Sequence, residues 1–218
     1  MERTELAPAR SQRLRSVVRG ISPGWLLPAL LWLAVVAWRP AVLGFYHDDW
    51  ATLWPMSAGV FAKFMLEQAS RPVYGALMSA ARLALPADPL AYQILLVVLI
   101  GASAAAIGRL GRRIAVLAGA VPSAATWAGI FAATTWIAIP WGMGVSVWPT
   151  TFPAQISVLA FCAMALAVLR ETSLRRRALT ALPIFFFASL ISELFWLSFL
   201  PVLLILLGTG RKLSQNSS

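Results

Sequence analysis

The chain has 218 residues, 60% of them hydrophobic and 12% charged, and carries ten tryptophans. A mean hydropathy of +0.77 excludes an ordinary soluble domain, and apolar runs near 20 residues predict transmembrane helices. The formal net charge of +10 does not indicate nucleic acid, because the basic residues are split into short clusters with apolar chain between them.

Residues 1–20 are polar and basic, with Arg10, Arg13, Arg15 and Arg19. They read as a cytoplasmic arm against lipid headgroups. An Arg-rich start before an apolar run also has the layout of a secretion signal. Trp38-Arg39-Pro40 makes a poor mature start, however, so an uncleaved anchor is expected. The first span is placed at 24–43, with Pro28 near its start and Arg39 able to snorkel from its outer end.

The chain then enters a long outside segment, 45–89, which opens Phe45-Tyr46-His47-Asp48-Asp49-Trp50. A short helix is expected at 60–68. A second, at 72–85, is too short to span and reads as interfacial or re-entrant. Pro86-Ala87-Asp88-Pro89 breaks it.

Span 2 is placed at 90–107, ending at a basic turn with Arg109, Arg112 and Arg113, and span 3 at 114–137. An outside loop at 138–153 holds Pro140, Trp141, Gly142, Gly144, Trp148, Pro149 and Pro153, with the tryptophans as headgroup anchors. Span 4 is placed at 154–169 and returns to a cluster of Arg170, Arg175, Arg176 and Arg177. Cys162 lies within this span as a packing residue with no disulfide partner.

The apolar stretch 178–207 is too long for one relaxed span and short for two. Two short spans meeting near Ser192-Glu193 keep the flanking clusters, including Arg211 and Lys212, on one side. The expected fold class is therefore all-α: a polytopic membrane protein of about six transmembrane helices, with an interfacial helix in its first outside loop. Both termini are cytoplasmic. A basic arm (1–20), one helical domain (21–210) and a polar tail (211–218) complete it.

This topology puts Asp48, Asp49, Glu67, Asp88 and Glu193 outside, five of the eight acidic residues. A carboxylate at the interface is costly unless it is hydrated, paired or used. Two adjacent ones repel, which raises one pKa and prepares a general base. As a plain structural feature, the pair would be a hydrated loop start or a helix N-cap before Trp50. A metal bound by His47, Asp48 and Asp49 is disfavoured, because adjacent residues rarely point at one ion, and no cofactor is expected.

An aromatic span end, Asp48-Asp49, then Ser70-Arg71-Pro72-Val73 before an apolar stretch, resembles the GT-C glycosyltransferases of the O-antigen glucosyltransferase and protein O-mannosyltransferase type. Ser70 and Val73 stand where that motif has Gly and Leu. Leu190-Ile191-Ser192-Glu193 is similar to a Ser/Glu hairpin in the same enzymes, one residue shorter.

The resemblance implies a membrane transferase of the cell envelope, in a bacterial inner membrane. Such an enzyme moves a sugar from a polyprenyl-phosphate donor to an acceptor hydroxyl on the outer side. Asp48 or Asp49 would be the catalytic base, and Arg71 the contact to the donor phosphate, with Arg82 second. His47 and Glu193 would line the same cavity. Members of the family usually have more spans, so a non-catalytic subunit or remnant working with a larger membrane partner is the alternative. A small transporter or flippase ranks third, because the span interiors carry few polar residues.

Overall fold

The computed structural model describes residues 23–37, 71–86, 88–138, 149–170 and 173–191. Every regular element among them is helical. A 3-10 turn at Pro23–Trp25 leads into α1 (Leu26–Trp32), which ends as a π-helical stretch, Leu33–Ala37. α2 is Pro72–Ala84, α3 Pro89–Leu117 and α4 Pro122–Ala138. A 3-10 turn, Pro149–Thr151, precedes α5 (Phe152–Val168), and α6 is Leu174–Ser189.

Local chemistry explains the boundaries. Proline starts α2 at a position whose amide has no intrahelical partner. Asp88 caps α3: its carboxylate accepts from the Leu90 amide at 3.1 Å, and Pro89 fills the first helical position. Ser173 caps α6 in the same way, accepting from the Arg176 amide at 3.3 Å.

The turn between α3 and α4 differs from the expected one. The basic residues Arg109, Arg112 and Arg113 do not form a loop but lie within α3, which continues to Leu117. Its end is a Schellman motif at Gly119, with φ of 85°: Gly119 donates to the Val116 carbonyl at 3.1 Å and Ala120 to Ala115 at 3.0 Å. Glycine takes this left-handed conformation without a Cβ penalty, and Pro122 then starts α4. At 29 residues α3 is about 43 Å long, more than the ~30 Å thickness of a bilayer core, and it continues without a break through the three arginines. α6 likewise begins at Leu174, four residues before the expected 178, and takes Arg175, Arg176 and Arg177 into its first turns.

Consecutive long helices alternate in direction. Trp25 packs at Gly108 and Trp32 at Gly101, so α1 runs against α3. Gly108 meets Gly129, while Val98 shares a groove with Ile137, so α4 runs back along α3. Ser103 donates to the Gln155 carbonyl at 3.4 Å, and Arg109 shares a groove with Leu166 and Arg170, so α5 runs parallel to α3. Ser157 donates to the Ala188 carbonyl at 3.5 Å, and α6 returns along α5.

One end of the bundle therefore gathers Pro23, Arg109, Arg112, Arg113, Arg170 and the start of α6. The other holds Ala37, α2, the 85–89 break, Pro149–Thr151 and Ile191. The core of this second end combines Val36, Met78, Tyr92, Leu96, Ile137 and Phe152. The helix ends at Ser189 with Leu190 as C-cap, close to the expected hairpin near Ser192. The second arm of that hairpin, the helix at 60–68 and most of the loop at 138–153 lie outside the described residues.

By length and composition, α3 alone among the described helices is long and apolar enough to cross a membrane. Leu26–Ala37 and Phe152–Val168 are apolar but shorter.

Trp32 fastens α1 to α3, its indole N–H donating to the Val97 carbonyl at 3.1 Å. Trp32→Phe keeps an aromatic ring but removes this bond and part of the indole that packs at Gly101. It should lower stability by about 1 kcal/mol, read as an earlier thermal transition of the purified chain.

Candidate functional site

Arg71 sits at the N-cap of α2 with non-helical backbone, φ −133° and ψ 62°. The proline that follows disfavours helical backbone at this position, so the helix starts one residue later. Its carbonyl accepts from the Gly75 amide at 3.1 Å, and its half-buried side chain does not cap the helix. The first turn of α2 contains no acidic residue. The helix dipole and the arginine therefore bring positive potential to the same place, an arrangement suited to an anion.

Tyr74 holds this helix in position. Its hydroxyl lies 3.4 Å from the Thr150 carbonyl, tying the first turn of α2 to the turn that opens α5. Gly75, Met78 and Ala81 form the buried face of α2.

Arg82 belongs to the other end of the same helix. Eleven residues separate it from Arg71, about 16 Å along a helix axis. Arg82 is half-buried with Nη1 fully enclosed, and it lies within electrostatic reach of Tyr92. Its surroundings are those of a side chain packed between α2 and the start of α3.

Sequence reading missed the polar residues beneath this region. Gln93, Ser103, Gln155 and Ser157 are all buried. Ser103 joins α3 to α5 through the Gln155 carbonyl and Ser157 joins α5 to α6 through the Ala188 carbonyl, and Gln155 Oε1 has no hydrogen-bond partner among the described residues. Two glutamines inside otherwise apolar spans were the available signal. They modify the expectation of nearly polar-free span interiors.

His47, Asp48, Asp49 and Glu193 lie outside the described residues, so the structure neither groups nor separates them. The described residues that flank them can be placed. Ala37 and Arg71, on either side of the segment with His47, Asp48 and Asp49, are both at the end of the bundle that carries α2. Ile191, two residues before Glu193 in the chain, is at that end too. Among the described residues, no group of three His, Cys, Asp or Glu side chains could hold a metal. Compared with family models, curated proteins and solved structures, the chain matches none of them.

Proposed function

We propose that this chain is a polytopic membrane glycosyltransferase of GT-C type, moving a sugar from a polyprenyl-phosphate donor to an acceptor hydroxyl at the outer surface. The observation that carries the reading is the division of the bundle. The described arginine clusters of α3, the end of α5 and the start of α6 gather at one end. Arg71 sits at the other, where the chain segments bearing Asp48-Asp49 and Glu193 are joined.

The surface supports the membrane part. Leu30 is 60% exposed, Phe131 73% and Leu179 63%, while Gln93 and Ser103 are completely buried. Large apolar side chains outside and amides inside suit a lipid solvent better than water. An apolar groove of about 380 Å³ among α1, α3 and α4, lined by Trp25, Pro28, Trp32, Gly101 and Ala105, has the right chemistry for an isoprenoid chain.

In the proposed reaction one carboxylate of Asp48-Asp49 takes the proton of the acceptor hydroxyl as its oxygen attacks the anomeric carbon. The bond from that carbon to the lipid phosphate breaks, and the phosphate leaves as an anion. Arg71, with the N-terminus of α2, stabilises the developing charge. Glu193 and His47 position the acceptor.

The test is transfer of labelled sugar from a panel of polyprenyl-phosphate hexoses and pentoses in membranes carrying the chain. Arg71→Ala should raise the donor KM at least tenfold, consistent with loss of about 1.4 kcal/mol or more from a charged phosphate contact. Absence of turnover with every donor and acceptor extract would overturn the catalytic reading in favour of the non-catalytic subunit.

A further inference from the structure

At the end of the bundle opposite α2, a cavity of about 380 Å³ opens between α3 and the end of α5. Its lining is Arg109, Arg112, Arg113 and Arg170, with Val116 and Leu166. Arg109, Arg112 and Arg113 are spaced three and four apart, which puts them on one face of α3 within an arc of about 100°. Arg170 comes from a different helix end, one full residue past the C-cap Leu169. Four arginines from two elements thus line one cavity.

Among the described residues no acidic side chain is part of this lining, and none of the four arginine side chains makes an ion pair or hydrogen bond. The C-terminal ends of α3 and α5 moderate the repulsion through their dipoles, but fractional charges do not balance four full ones. The volume lies in the range of about 300–1,000 Å³ typical of small-molecule sites.

We propose that this cavity is a binding site for the phosphate headgroup of an anionic phospholipid. Guanidinium forks match phosphate oxygens bidentately. Val116 and Leu166 supply apolar wall, which gives acyl chains a surface that a free anion would not use. Basic pockets between helices on the cytoplasmic side recognise such headgroups by this combination. Orientation alone requires only that positive charge lie on this side, not that four arginines share one cavity.

The site rests on the membrane part of the proposed function and not on sugar transfer. Alkaline carbonate extraction of membranes reports that membrane part separately. The test uses the purified full chain in neutral detergent, with thermal unfolding and native mass spectrometry as readouts. Phosphatidylglycerol should raise the transition by several degrees and remain bound, whereas phosphatidylcholine should do neither.

Arg112→Gln with Arg170→Gln should weaken phosphatidylglycerol binding at least tenfold. Arg175→Gln with Arg176→Gln removes the same charge from exposed positions at the same end of the bundle and should leave binding within twofold. Arg112→Lys with Arg170→Lys keeps the charge and the topology and should still weaken binding severalfold, which covers the case of a glutamine variant that fails to fold. Equal loss in the two glutamine pairs, or unchanged binding in the lysine pair, would overturn the site. So would inorganic phosphate giving the same shift at equal concentration, which would assign the cavity to a free anion.

Discussion

In the proposed reaction, asparagine at the carboxylate of Asp48-Asp49 that serves as base should slow sugar transfer by about 10²–10⁴-fold, the usual worth of a positioned general base. Asparagine keeps the volume of the side chain and its hydrogen-bonding capacity, so the loss reports proton transfer and not packing. The two positions should differ in a defined way. Adjacent carboxylates disfavour ionising together, and this repulsion keeps the base protonated to higher pH than an isolated carboxylate. Neutralising the other member removes the repulsion. Activity rises with pH as the base loses its proton, so this second variant should keep much of its rate while the acid limb of its kcat/KM profile moves to lower pH. A pH series on both variants separates base from neighbour. Unchanged transfer in both would remove the pair from the chemistry and leave it as a hydrated loop start.

The largest effect on stability is expected at Gly129. A Cβ there would lie 2.6 Å from the Gly108 carbonyl oxygen and 3.0 Å from Arg112 Cβ, and a Cβ on Gly108 would meet the Gly129 carbonyl at 2.9 Å. The obstacle is helix backbone on both sides, which cannot swing away as a side chain can. Close approach of this kind is how small residues let helices associate where water supplies no hydrophobic force. Gly129→Val should therefore force α3 and α4 apart and cost about 3 kcal/mol or more, beyond ordinary overpacking. Gly119→Ala is the contrasting case. It has open space around it but a φ of 85°, so its cost should be only the ~1–2 kcal/mol of left-handed backbone. Thermal unfolding of the two variants checks the order, and a neutral Gly129→Val would contradict the crossing of α3 and α4.

Much of the helix layout was legible where local chemistry dominates. The apolar stretch predicted at 72–85 is Pro72–Ala84, and span 4 at 154–169 is Phe152–Val168. In both, a proline near the start and a mainly apolar run leave little choice. The turn after span 2 was misplaced because Gly108, Gly111 and three arginines look like a loop. In the helix the glycines serve close packing and the arginines face the open groove, while the stop signal is Gly119 followed by Pro122. Ser173 was a readable N-cap for α6 that the Arg175–Arg177 cluster obscured. The burial of Gln93, Ser103, Gln155 and Ser157 depends on which faces of α3, α5 and α6 meet, and helix periodicity in an almost wholly apolar chain does not record that. For the site, Arg71 and its place at the start of α2 were legible. The separation of Arg82 from it follows from helix rise and could have been computed.

The central claim is that the two ends of the bundle face opposite sides of a membrane, with α2 outward. It is tested most directly by single cysteines in a Cys162→Ser background, labelled in intact cells with a membrane-impermeant maleimide. Ala84→Cys, exposed at the end of α2, should react from outside. Arg175→Cys, exposed at the basic end, should react only after permeabilisation. Labelling of Arg175→Cys in intact cells with Ala84→Cys protected would contradict the account.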